Sequence, residues 1–315
     1  MQLIRSVTTA AQHRRLAERN QGRLDPRFPD GSWQADLEDE HELRLLEGEV
    51  LERERSVIAA RAQTAPTDPA AFVAWFEELE ASGPGQHDPL FPWLAERATV
   101  EQMRWFLRQE VAGEAGFDDL VALAQLRLAD QPKLELARNY WDEMGRGNAG
   151  GMHGPMLARL ATALDLASLE ASVPIVWESL ALGNIMLGLA ANRRYAYHAL
   201  GALGVIELTA PGRAALVNQA LKRLNIAPQA RHYFALHSTL DIKHSAAWNA
   251  EVLRPVVAAE PRAAVAIAEG ALLRLEAGRR CFERYRSELG VDQSHPSRVS
   301  SASPAVRSPV PMSLR

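Results

Sequence analysis

His237-Ser-Thr-Leu-Asp241-Ile-Lys-His244 is the stretch on which the interpretation of this chain turns. On an α-helix, Asp241 lies about 40° around the axis from His237, and His244 about 20° to the other side. Three metal-ligating side chains therefore share one face. The rise between the two histidines is roughly 10 Å, too far for both imidazoles to grip one ion easily. It suits two metals about 3.5–4 Å apart, with Asp241 between the histidines and able to reach either or both. Neutral imidazole with carboxylate favours iron or manganese, and the lack of thiolate disfavours structural zinc. A solvated polar face would show the same spacing, but Tyr233, Phe234, Leu236 and Trp248 lie on the same helix.

Upstream, Asn139-Tyr-Trp-Asp-Glu143-Met-Gly-Arg-Gly-Asn-Ala-Gly-Gly-Met-His153 pairs a carboxylate and an imidazole ten residues apart. On an unbroken helix they would stand about 80° and about 15 Å apart. The glycines let the backbone break and turn both side chains inward; a helix cap followed by an unrelated helix is the alternative. Glu110 and Glu114, four apart, share a helical face among weakly polar neighbours (Val111, Ala112, Gly113, Ala115, Gly116). Glu207 sits in the apolar run ALGALGVIELTA, residues 199–210. If buried it needs a partner, and a metal is a sufficient one; a wet helix end before Pro211 would also accommodate it. Glu38-Asp-Glu-His41 has the Glu-x-x-His spacing that ferritin-like di-iron bundles use twice. It lies in an acidic run without a second copy and is set aside. Zinc-protease, phosphate-loop and dinucleotide fingerprints are absent from the sequence.

The 315 residues are 47% hydrophobic with a net charge of −4, ample for a buried core and without the basic field that would suit nucleic acid or anionic membrane. The single cysteine, Cys281, excludes an intramolecular disulfide and fits a reducing cytoplasm; behind Arg279-Arg280 it is expected to pack rather than react. The longest apolar stretch, Leu180 to Ala191, is too short to span a bilayer and contains Asn184. The start, MQLIRSVTTAAQHRR, has no secretory pattern. Ala, Leu, Arg and Glu dominate, and alternating β-branched runs are nearly absent, so the fold is expected to be all-α. Residues 1–36 are expected to form a partly ordered arm, 37–290 a helical domain with a metal-binding core at about 90–285, and 291–315 a disordered Ser/Pro-rich tail. Asp68-Pro69 and Thr99-Val-Glu-Gln mark helix starts, Lys133 to Glu143 another helix, and Val173 to Glu207 central core helices. Pro211-Gly212 and Ala227-Pro228 are expected to punctuate the chain before helices of about Pro228–Val257 and Pro261–Leu289.

Taken in order, these pieces resemble the haem-oxygenase-like di-iron oxidases and oxygenases, the iron-containing redox enzymes. That family's pattern has a glutamate on the first core helix, then a glutamate and histidine ten apart across a glycine-rich break. A further glutamate follows, then a His-x-x-x-Asp-x-x-His helix. Glu110 or Glu114 matches the first position and Glu143 with His153 the pair, through YWDEMGRGNAGGMH. Glu207 matches the intervening carboxylate, and His237, Asp241 and His244 match the last helix. The resemblance implies a haem-oxygenase-like bundle of about seven core helices, with extra N-terminal helices packed outside. It also implies two Fe2+ ions (the second weakly bound), O2 as co-substrate, and N-oxygenation, C–C cleavage or desaturation of a small organic substrate. Phe106, Trp141, Met152, Trp177 and Tyr233 are candidate pocket residues, with core packing as their other role. A cofactor-free thiamin-salvage-like hydrolase or binding module, and a zinc or manganese hydrolase, are the alternatives. The expected partner is a small molecule, with neither nucleic acid nor membrane, and surplus apolar helix surface is compatible with a homodimer.

Overall fold

The computed structural model describes residues 2–170 and 172–291, and every regular element among them is helical. In chain order these are α1 (Gln2–Asn20), α2 (Trp33–Ala62), α3 (Pro69–Ser82), α4 (Leu90–Glu96), α5 (Val100–Gly113), α6 (Phe117–Ala124) and α7 (Asp130–Glu143). There follow α8 (His153–Ala163), α9 (Trp177–Ala191), α10 (Ala196–Arg223), α11 (His232–Ala247), α12 (Arg254–Ala259) and α13 (Ala263–Leu289). The fold is the all-α bundle expected. Two starts take the expected form: Asp68 accepts from the amides of Ala70 and Ala71 ahead of Pro69, and Thr99 and Gln102 close a reciprocal capping box.

At the centre, α10 runs between α11 and α13, and glycine sets how closely. A Cβ on Gly201 would lie 1.8 Å from the Ile267 carbonyl, and one on Gly270 1.9 Å from that of His198. Only hydrogen fits at either position, so α10 and α13 cross backbone to backbone. Gly204 makes similar room for Trp248, whose indole nitrogen would lie 2.5 Å from an added Cβ and donates to the Leu200 carbonyl at 3.2 Å. One apolar cluster surrounds this crossing, with Leu203, Ile267, Leu272 and Trp248. A second gathers Phe91, Phe106, Leu221 and Tyr285.

Several expectations are corrected. Pro211 does not end a helix; α10 continues through it to Arg223. Proline has no N–H to donate to the carbonyl four residues back, which here belongs to Glu207, so the helix loses one bond but keeps its course within tight packing. The helix expected over Pro228–Val257 is two helices joined by a π-helical turn, Trp248–Leu253. Residues 1–36 contain α1, which docks on α2 and α9. Leu16 packs with Leu43 and Val50, and the Asn184 amide donates to the His13 carbonyl at 2.8 Å. Val291, placed in the tail, is buried; the remaining tail expectation, 292–315, lies outside the described residues. The segment Arg193–Arg223 is long and apolar enough to cross a membrane by length and composition, and 67% of its apolar window is buried inside the fold. Glu38 and His41 are exposed on α2, as their dismissal required.

Candidate metal centre

Glu143 closes α7 and His153 opens α8. Between them, Gly145, Arg146 and Gly147 all adopt positive φ (61°, 54° and 84°), and Met144 pairs with Met152 in an antiparallel bridge. A Cβ on Gly145 would lie 2.5 Å from the Gly151 carbonyl carbon, so this hairpin requires its glycine. It returns the chain on itself: the ten-residue pair meets, with His153 Nδ1 donating to Glu143 Oε2 at 2.8 Å.

Around Glu143 two groups of ligand atoms form, each within 4.8 Å: Glu143 with His153 and His237, and Glu143 with Asp241 and His244. All five residues are buried. Glu143, rather than Asp241, is common to both. Each group has a further carboxylate beside it: Glu114 Oε2 lies 3.8 Å from His153 Nε2, and Glu207 Oε1 lies 3.4 Å from His244 Nδ1.

Hydrogen bonds fix which imidazole nitrogens face inward. His237 donates from Nδ1 to the Tyr233 carbonyl (2.7 Å), leaving Nε2 at 3.5 Å from Glu143. His244 donates from Nε2 to Asp142 Oδ2 (3.2 Å), leaving Nδ1 toward Glu143 and Glu207. Buried His237 Nε2, His244 Nδ1 and Asp241 Oδ1 have no hydrogen-bond partner. Orphaned buried polar atoms are expensive, and three around one carboxylate fit a cation. His153 is the exception, since Tyr233 approaches its Nε2 (3.1 Å) while Glu143 holds Nδ1. A metal there displaces one of these contacts.

The electrostatics agree. Burial and then the Glu207 charge push the Asp241 carboxyl up to about 8. Burial alone would lower His244, but Glu207, Glu143 and Asp142 raise it to about 9. Glu143 goes the other way: despite burial, His153 and His237 hold its carboxyl well below the usual range. Without a metal the cluster thus retains protons where metal ions would supply positive charge.

A cavity of about 160 Å³ adjoins the cluster, lined by members of both apolar clusters and by Glu114, Glu143, His153, Glu207, Tyr233, His237 and Asp241. Glu114 and Glu110 are separated by their surroundings. Glu114 sits beside His153 and accepts from the amides of Gly116 and Phe117 (3.1 and 3.0 Å). Glu110 also lines the cavity, but burial raises its carboxyl against the opposing pull of Arg274, Tyr285 and Arg213, and it joins neither ligand group. Phe106 and Tyr233 line the cavity as expected. Trp141 is instead 53% exposed, Met152 belongs to the glycine hairpin, and Trp177 stacks on His13 at 5.6 Å. Cys281 lies at the cavity wall, its thiol pushed up to about 12 by burial, which suits packing. Missed by the sequence reasoning were Asp142, which orients His244, and Asn139, whose amide donates to Glu207 at 2.6 Å. Both lie within the quoted 139–153 stretch, one and four residues before Glu143, where a helical turn allows such support.

Residues 104–279 match the family model described as iron-containing redox enzyme. No curated protein matches the chain. Among solved structures, a CADD-like protein of unknown function from Nostoc punctiforme PCC 73102 aligns at 20% identity with a TM-score of 0.50, over 71% of this chain and 96% of that one. A second crystal structure of that protein gives 0.44 at 20% identity, over 78% and 99%. At such identity the likeness is one of fold. The family match spans more than half of the 315 residues and contains Glu110, Glu114, Glu143, His153, Glu207, His237, Asp241 and His244; the chain belongs to the iron-containing redox enzyme family.

Proposed function

We propose that this protein is a non-haem di-iron oxidoreductase that uses O2 to oxidise a small organic substrate held in the cavity. The observation that carries this is the pair of buried ligand groups sharing Glu143, with orphaned nitrogens and oxygen directed among them. One ion would take Glu114, Glu143, His153 and His237; the other would take Glu143, Glu207, Asp241 and His244. When bound, the irons would supply O2 binding and the electrons for its reduction. Four carboxylates offset the four positive charges of two ferrous ions, which makes so buried a site tenable.

The chain's own residues prepare the site. Asp142 and the Tyr233 carbonyl fix the tautomers of His244 and His237, as outer partners of metal-binding imidazoles do. Burial, then Glu114, Glu143 and Asp241, hold the Tyr233 phenol well above its usual range, so it keeps its proton at the cavity edge. Phe117, Leu120, Met186 and Ile206 wall the space beside the ligands and exclude water.

Anaerobic ferrous titration tests the assignment. Wild type is expected to take up two ions per chain, and His237→Ala and His244→Ala about one each. Undiminished uptake in both variants overturns the assignment; loading followed by an O2 pulse without O2 consumption refutes the oxidase chemistry and favours a hydrolytic metal site.

A further inference from the structure

The cavity wall also carries two arginines, Arg213 on α10 and Arg274 on α13. Neither forms an ion pair within 4 Å among the described residues. Arg213 contacts only neutral partners: Gln86 (3.4 Å), Thr209 (3.2 Å), and the rings of Phe91 and Phe282 (5.8 and 5.6 Å to the centroids). The Nε of Arg274 is buried without a hydrogen-bond partner among the described residues. Gly278 makes room for it, since a Cβ there would lie 3.0 Å from Arg274 Nη1. Glu110 bears on both arginines and Glu114 on Arg274, each beyond ion-pair distance, and the burial of Glu110 favours its protonated form. Burial also lowers both guanidinium groups, Arg213 to about 10 with Arg274 adding repulsion. Two half-buried cations that line one cavity without an ion-pair partner are suited to receive an anion.

We infer that the substrate is a small organic acid whose carboxylate is received by Arg213 and Arg274, with its apolar body reaching toward the Glu143 cluster. This rests on the proposed function and adds a substrate class to it. Paired guanidinium groups match a carboxylate through charge-assisted, bidentate hydrogen bonds. Leu182, Ile206, Ala210 and Phe234 line the same cavity, which suits an alkyl or aryl body. Arg213 lies six residues beyond Glu207 on α10, roughly 9 Å of helical rise, so an acid held there keeps its charged group away from Glu207.

The test uses the full chain, both chelated and ferrous-loaded under anaerobic conditions. Hexanoate and phenylacetate are compared with hexanamide, phenylacetamide and inorganic phosphate by thermal shift and calorimetry. Acids are expected to raise Tm and bind, and the amides to do neither. Arg274→Gln and Arg213→Gln are expected to weaken acid binding at least tenfold. Arg274→Lys should restore part of the binding. Equal binding of acids and amides, tighter binding of phosphate, or undiminished acid binding in both glutamine variants overturns the inference. Iron uptake without acid binding sinks this inference alone; acid binding without iron uptake sinks the di-iron assignment and leaves the arginine site standing.

Discussion

Replacing Asp241 with asparagine should make the metal-free protein more stable. The Asp241 carboxyl stands at about 8 against an ordinary 3.8, because it is buried and faces Glu207 and Glu143. An acid whose pKa is raised by folding gains a proton on folding at pH values between its unfolded and folded values, so its contribution to stability falls as pH rises from about 4 to about 8. At roughly 1.4 kcal/mol per unit, three units between pH 4 and 7 give an upper figure of about 4 kcal/mol. Shared protons within the cluster reduce this, so a few kcal/mol is expected. Asparagine keeps the shape without this penalty. In a chain of this size each kcal/mol moves Tm by about 2 °C, so chelated Asp241→Asn should melt several degrees above chelated wild type at pH 7, with the gap closing toward pH 4. Anaerobic ferrous iron should reverse the order, stabilising wild type and much less the variant. A variant that melts at or below wild type at pH 7 without metal would refute the claim that crowded carboxylates strain the empty cluster.

Three further predictions address its surroundings. Asp142→Ala removes the acceptor that orients His244 and should weaken ferrous binding about 10–100-fold at one of the two proposed ions, seen as a split titration; unchanged affinity at both argues against this role. Gly204→Ala forces a methyl group toward the Trp248 indole and should cost about 1–3 kcal/mol in urea denaturation, with altered Trp fluorescence. Glu54 is buried, yet His13 and Arg280 hold its carboxyl below its ordinary value, while burial lowers His13. Both contributions are present above the unfolded values and disappear as pH falls through the acid range, so Glu54→Gln should lower stability at pH 7 and flatten its decline between about pH 5 and 3; parallel curves would exclude the Glu54 contribution.

What the sequence revealed and what it hid follow from how local each signal is. His237, Asp241 and His244 share a face by helical arithmetic alone, and Glu207 stands out as a carboxylate in an apolar run. Glu143 and His153 could be paired because the intervening glycines license a tight return. Spacing could not separate Glu110 from Glu114, because both occupy one face; only the tertiary placement of α8 sets His153 beside Glu114. Arg213 and Arg274 sit in strings that look like ordinary solvated helix, and only tertiary packing encloses them. Pro211 read as a stop because its local cost is high, and the packing of α10 between α11 and α13 outweighs one lost backbone bond.

The unbroken course of α10 also makes it a ruler. Glu207 and Arg213 stand six residues apart on it, roughly 9 Å of helical rise, and the glycine-tight crossing with α13 keeps that rod from sliding. The distance from an anchored carboxylate to the oxidised carbon would then be graduated by the backbone itself, and the position of attack would be selected by the length of the acid.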